Sequence, residues 1–177
     1  ARAVLQTGEF DYAWNLQVED EVLKRMEAGG KGKANIVPSG NIEFIQLNPT
    51  DPYTEVDGER ASIKSKHFAF SEPAVRQAMA LVADRQGIQD FIYGRTGTAT
   101  ANFLNNPSRF RSPNNKFEFN TDKANAILEA AGWKKGADGI REKGGKKLKF
   151  VYQTSVNALR QKEQAVVKQG AQKAGIE

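Results

Sequence analysis

The spacing of apolar residues before residue 83 is the feature that most constrains how this chain can fold. Four of them follow the i, i+3, i+4, i+7 rule of one helix face: Val75, Ala78, Met79 and Val82. Ser71 is the expected N-cap, and Pro73 stands in the first turn, where proline is tolerated. A helix with one apolar face must bury that face against another element. The pattern therefore predicts a packed domain built around this helix.

Other segments alternate between helix and strand patterns. Further helices are predicted at about residues 19–28, 86–93, 120–131 and 157–174. The clearest strand is Ile42–Asn48, where branched and polar residues alternate, and a hairpin is predicted to join 138–141 to 147–152 through two glycines. Strands alternating with helices predict an α/β fold, with a mixed sheet flanked by helices.

Individual residues mark the ends of these helices. Asn120 is the expected N-cap of the helix that follows it, and Gly132 is placed for a left-handed C-terminal stop, after which Trp133 would fold back. Gly170 lies inside the last predicted helix, where glycine costs about 1 kcal/mol relative to alanine. That glycine weakens the prediction of a helix there.

Composition excludes several classes of function. The 177 residues include no cysteine and a single histidine, His67, so disulfides, thiolate catalysis and a His-based metal cage are excluded. His67 lies in a charged loop and is expected to be solvated. The chain holds no GxSxG, P-loop or GxGxxG motif, and no apolar run long enough to span a membrane. We therefore expect no catalysis, no cofactor and no metal.

Polar and aromatic side chains follow the ends of three predicted strands, which are a short strand in the aromatic run that ends at Trp14, the strand Ile42–Asn48, and the second hairpin arm that ends at Tyr152. Open α/β sheets bind ligands just beyond the carboxyl ends of their strands. The candidate ligand-binding residues are Trp14, Asn15, Gln17, Asn48, Tyr152, Gln153, Thr154 and Ser155. Trp14 could instead pack in the core, and Asn15 and Gln17 could be ordinary turn residues.

The charge balance leaves a second class of function open. Lys and Arg total 26 against 21 Asp and Glu, a formal net charge of +5 that permits an anionic partner such as nucleic acid. Phe150 and Tyr152 alternate with Lys147 and Lys149, as a nucleic-acid surface would require. A buried face opposite a solvated face explains the same pattern, and lysines in turns keep a hairpin soluble. A small basic nucleic-acid-binding domain is therefore the alternative, and no nucleic acid is expected.

The sequence around the first helix resembles a known family. Residues 73–81 read PAVRQAMAL and are followed by Asp84-Arg85 and Ile88, which is similar to the hallmark of bacterial extracellular solute-binding proteins, family 5. The GEFD stretch at 8–11 and the helix ending in Ala131-Gly132 are also similar. The resemblance covers essentially all 177 residues.

This resemblance implies a periplasmic or extracellular receptor, which closes two lobes around a peptide or similar small solute and delivers it to the permease of an ABC importer. Such receptors are much longer than this chain. Residues 1–177 are therefore expected to form a single α/β lobe, most of the distal C-terminal lobe, with the missing first lobe as partner. The YQTS stretch at 152–155 resembles that of oligopeptide receptors, and the arginine that dipeptide receptors place near it is absent before Arg160. An oligopeptide is therefore expected rather than a dipeptide.

Overall fold

The computed structural model describes residues 3–177, which divide into two compact units. Unit 1 comprises the residues up to Asn41, Arg85–Lys116 and Gln153–Ala165. Unit 2 comprises Ile42–Asp84, Phe117–Tyr152 and Val166–Glu177. The α-helices are α1 (Val4–Thr7), α2 (Asp20–Ala28), α3 (Pro73–Val82), α4 (Arg85–Ile88), α5 (Thr121–Ala130) and α6 (Ala158–Lys173). The strands are β1 (Glu55–Val56), β2 (Glu59–Arg60), β3 (Lys134–Lys135), β4 (Arg141–Lys143) and β5 (Lys146–Lys147).

Unit 1 is built from short helices and long irregular segments. Helix α4 continues into a π-helical turn (Gln89–Tyr93) and a 3-10 turn (Gly94–Thr96), and a second 3-10 turn covers Ser108–Phe110. The buried cluster around α2 consists of Leu5, Val18, Leu23 and Met26. The helix predicted at 19–28 is confirmed, with acidic residues in its first turn as the helix dipole favours.

Unit 2 holds the larger core. Helix α3 packs against α5, and the largest fully buried side chains of the unit are Trp133, Leu128, Leu148, Ile176, Val75, Val82 and Val167. Unit 2 also contains two small antiparallel sheets. In one, β1 pairs with β2; in the other, β4 lies between β3 and β5. Helices combined with small sheets confirm the α/β class.

The predicted start of α3 is correct in position but wrong in its cap. Pro73 is the first helical residue, and Glu72, not Ser71, is the N-cap, without a side-chain capping bond. Ser71 Oγ instead donates to the carbonyl of His67 at 2.6 Å. The Glu72 carboxylate accepts from Trp133 Nε1 at 3.2 Å and from Lys143 Nζ at 2.8 Å. A local bond thus occupies the Ser71 hydroxyl and tertiary contacts occupy the Glu72 carboxylate, so neither side chain caps the helix.

Both predicted ends of α5 are confirmed. Asn120 Oδ1 accepts from the Lys123 backbone N–H at 2.8 Å, and Gly132 adopts a φ of +87°. The backbone N–H of Trp133 then donates to the carbonyl of Leu128 at 2.9 Å, and the indole is only 1% exposed. The helix therefore ends by turning an aromatic side chain back into the core of unit 2.

Three predicted strands do not form as expected. In the described chain, the run that ends at Trp14 is not a strand. Within residues 3–177, Ile42–Asn48 pairs with no strand, and Phe44 is 66% exposed. The long second arm predicted at 147–152 enters the ladder only through β5. Alternating side chains specify extended backbone, but a ladder also needs a neighbouring strand. In the described part of the chain, no helix is long and apolar enough to cross a membrane.

Candidate functional site

Unit 1 brings two of the sequence-predicted segments into contact. Gln17 Oε1 accepts a hydrogen bond from Asn157 Nδ2 at 2.8 Å, across 140 positions of sequence. Gln17 Nε2 points to Asn15 Oδ1 at 3.4 Å. On the other segment, Ser155 Oγ accepts from Arg160 Nη1 at 3.0 Å. Asn15, Gln17 and Ser155 are thus assembled around the turn that starts α6.

The aromatic residue of this group faces solvent. Trp14 is 74% exposed, so the alternative that it packs in the core is excluded. Phe10 and Tyr12 in the same run are also exposed, at 64% and 78%. Asn15 adopts a φ of +59°, a left-handed conformation that asparagine tolerates better than most residues. The turn at Asn15 therefore leaves an indole surface available to a ligand, beside primary amide groups.

The remaining predicted site residues lie in both units. Gln153 and Thr154 are exposed in unit 1. Asn48 and Tyr152 belong to unit 2, where Tyr152 is half-buried. Asn48 Oδ1 accepts from the Thr50 backbone N–H at 3.0 Å and from Thr50 Oγ1 at 2.7 Å. These bonds occupy the carbonyl of the Asn48 side chain in a local turn.

Sequence reasoning missed two residues of this group, Asn157 and Arg160. Asn157 Oδ1 accepts from the backbone N–H groups of Leu159 at 2.9 Å and Arg160 at 3.2 Å. Asparagine is a preferred N-cap residue, so its position at the start of the helix predicted at 157–174 was a usable signal. No local signal shows that its amide nitrogen reaches Gln17.

The expectation that His67 is solvated is wrong. Its imidazole is half-buried and stacks on Phe68 and Phe70, each with ring centroids at 4.7 Å. The ring atom Nδ1 accepts from the backbone N–H groups of Ala69 at 3.1 Å and Phe70 at 3.0 Å. Burial lowers the pKa of His67, Asp51 opposes that shift, and Lys146 adds to it. Burial and the two N–H donors to Nδ1 both favour the neutral form of the His67 imidazole.

The basic hairpin predicted as the alternative binding surface is largely neutralised within unit 2. Lysines 134, 143, 147 and 149 each form an ion pair, with Glu129, Glu72, Asp138 and Glu177 respectively. Lys146 Nζ lies 5.7 Å from the centre of the Phe68 ring. A phosphate backbone would have to compete with these carboxylates. Over residues 3–177, acidic and histidine side chains form no group able to hold a metal ion.

Comparisons with known proteins match this chain to one family of receptors. The model of the bacterial extracellular solute-binding proteins, family 5 Middle, matches residues 1–177. The chain is 35% identical over 158 residues to the oligopeptide-binding protein AppA of Bacillus subtilis, covering 78% of this chain and 29% of AppA. It is 31% identical over 163 residues to a protein of Deinococcus radiodurans named probable ABC transporter-binding protein, covering 87% of this chain and 26% of that protein.

A solved structure gives the same result. The crystal structure of an oligopeptide-binding protein from Thermus thermophilus, complexed with a pentapeptide, aligns with a TM-score of 0.55 at 27% identity. The alignment covers 60% of this chain and 19% of that chain. The chain thus spans less than a third of the length of these relatives. It belongs to the bacterial extracellular solute-binding proteins, family 5.

Proposed function

We propose that this chain is part of the substrate-binding component of a bacterial ABC importer, and that this component binds oligopeptides. The main observation behind this proposal is the family match over the whole chain, together with a relative named for oligopeptide binding. The neighbour complexed with a pentapeptide adds support. The proposal includes a location outside the cytoplasmic membrane and delivery of the peptide to permease subunits.

The chemistry of the exposed groups suits a peptide. A peptide backbone presents alternating N–H donors and C=O acceptors, and a primary amide side chain can satisfy either of them. Asn15, Gln17 and Gln153 are exposed groups of this kind. The Trp14 indole offers apolar surface that tolerates side chains of different shape. Such a surface recognises the backbone and accepts varied sequences, as an oligopeptide receptor requires.

We also propose that residues 1–177 act as one lobe and that the ligand is enclosed with a second lobe. Closure around a ligand divides its contacts between two surfaces, so a single lobe retains only part of the binding free energy. Trp14, Asn15, Gln17, Asn48 and residues 152–155 are the proposed contribution of this chain. Calorimetry with the isolated chain and penta-alanine should detect little or no binding. Micromolar affinity of the isolated chain would contradict the divided site.

The decisive experiment uses the receptor that carries this chain. Calorimetry should show that penta-alanine binds at least about tenfold more tightly than dialanine, because more backbone groups are paired. Trp14→Ala should weaken binding of penta-alanine, whereas the control Phe91→Ala, at another highly exposed aromatic residue of unit 1, should not. Failure of the wild-type receptor to bind penta-alanine or mixed pentapeptides would refute the proposal.

Nucleic-acid binding predicts a different result. Released counterions would make the affinity fall steeply with salt. A gel shift of the chain with duplex and single-stranded DNA at low salt should show no complex, since four lysines in and beside the hairpin are already paired with carboxylates. Tight binding that salt abolishes would replace the peptide proposal.

A further inference from the structure

We infer that Asn157 is a positioning residue, which fixes the orientation of the Gln17 amide at the ligand-binding surface. The inference rests on the proposed function for the meaning of that surface. It goes beyond it by naming a residue that acts through another and need not touch the peptide.

Both ends of the Asn157 side-chain amide are used. Its Oδ1 caps α6 by accepting from Leu159 N at 2.9 Å and Arg160 N at 3.2 Å. Because these two donors hold the oxygen, the amide nitrogen must point the opposite way, and it donates to Gln17 Oε1 at 2.8 Å. The helix start thus determines which end of Asn157 faces the segment around Gln17.

The bond from Asn157 also determines which end of the Gln17 side-chain amide, the oxygen or the nitrogen, faces the ligand-binding surface. A primary amide on an exposed glutamine can rotate by half a turn and exchange oxygen for nitrogen. With its oxygen held by Asn157, Gln17 keeps Nε2 on the far side, toward Asn15 Oδ1 at 3.4 Å. That contact is long for a hydrogen bond, so Nε2 retains donor capacity for a ligand carbonyl. Asn157 thereby makes Gln17 a donor at this surface.

The same turn also holds Ser155. Asn157 N donates to the Ser155 carbonyl at 2.7 Å, and Arg160 Nη1 donates to Ser155 Oγ at 3.0 Å. A separate ion pair also joins the two segments, because Lys162 Nζ lies 2.6 Å from Glu19 Oε2. Loss of the Asn157 donor should therefore release the Gln17 amide without separating the segments.

A helix cap alone would give Asn157 a purely structural role, and Asn157→Asp separates the two roles. An aspartate still accepts from the first-turn N–H groups and is favoured at a helix N-terminus, so α6 stays capped. A carboxylate cannot donate to Gln17 Oε1 and repels it instead. Asn157→Ala removes both functions and measures the loss of stability that follows from the missing cap.

The test measures penta-alanine binding and thermal unfolding of the receptor that carries this chain. We expect Asn157→Asp to unfold at the wild-type temperature while its affinity falls about five- to tenfold, as for one lost hydrogen bond. In a Gln17→Ala background, Asn157→Asp should cause no further loss, because the residue it positions is gone. Wild-type affinity of Asn157→Asp, or losses that multiply in the double variant, would overturn the inference. If wild-type receptor binds no peptide, the proposed function itself fails and the inference falls with it.

Discussion

Replacing Gly170 by alanine tests whether the close approach of α6 to the end of α3 explains this glycine. A Cβ atom at position 170 would lie 2.2 Å from the carbonyl oxygen of Val82 and 3.2 Å from its carbonyl carbon. Val82 is fully buried, and the atoms in the way are backbone, which cannot rotate aside as a flexible side chain can. Helix α6 would have to move away from α3 to admit the methyl group.

Two opposing terms set the size of the effect. Alanine gains about 1 kcal/mol over glycine in a helix interior. An ordinary van der Waals contact begins at 3.4 Å, so relieving the 2.2 Å overlap needs a shift of about 1 Å. Overpacking a core in this way costs about 1–3 kcal/mol, and a fixed backbone obstacle favours the upper end. We therefore expect Gly170→Ala to lower the free energy of unfolding by about 1–2 kcal/mol.

Urea unfolding of the chain at about 25 °C, followed by circular dichroism, measures this difference. Gln169→Ala is the matched control, because Gln169 is an exposed neighbour on the same helix, where an alanine should change stability by less than about 0.5 kcal/mol. A Gly170→Ala variant as stable as the wild type, or more stable, would show that helix propensity outweighs the contact with Val82.

Three further predictions concern stability of the chain. Because the pKa of His67 is lowered in the folded chain, the unfolded state takes up a proton first as pH falls. The free energy of unfolding should therefore decrease as pH drops below 6.5, the ordinary pKa of histidine. His67→Phe should flatten this pH dependence in urea titrations, and an unchanged slope would contradict the prediction. Gly94→Ala should destabilise by about 1–3 kcal/mol, because a Cβ would lie 2.3 Å from Asp20 Oδ2 at a φ of +52°, whereas Gly40→Ala, with open space around it, should be neutral in the same assay. Asn120→Ala should lower the free energy of unfolding in urea by about 1 kcal/mol, because it removes the cap of α5, whereas Asn120→Asp should keep the cap and the wild-type stability. Equal stability of the two variants would show that the cap is not important.

Features encoded within a few residues of sequence were predictable. The apolar period of α3 and the Asn120 cap depend on contacts between near neighbours, and both have the predicted form. The αL glycine at 132 follows the same rule, because only the local backbone decides it. The turn at Gly132 then brings Trp133 back toward the helix, where its backbone N–H donates to the carbonyl of Leu128.

Features that depend on distant partners were not predictable. The pattern at Ile42–Asn48 specified extended backbone but could not supply a neighbouring strand. The bond from Asn157 to Gln17 joins residues 140 positions apart, and neither residue type predicts the other. His67 is different, because Phe68 and Phe70 stand beside it in sequence, and their stacking could have been considered. The charged neighbours led to the wrong expectation of solvation.

Where a residue conflicts with local helix propensity, a tertiary contact can explain why that residue type is present. Gly170 reduces helix propensity, and the conflict is explained by the Val82 carbonyl, which leaves no room for a side chain. Asn15 adopts a left-handed φ of +59° on an exposed segment, a conformation that asparagine tolerates better than most residues. No buried packing of its own side chain demands that conformation, and it stands between an exposed indole and an amide that Asn157 orients. The turn at Asn15 thus lies between the two side chains, Trp14 and Gln17, that we propose as ligand contacts.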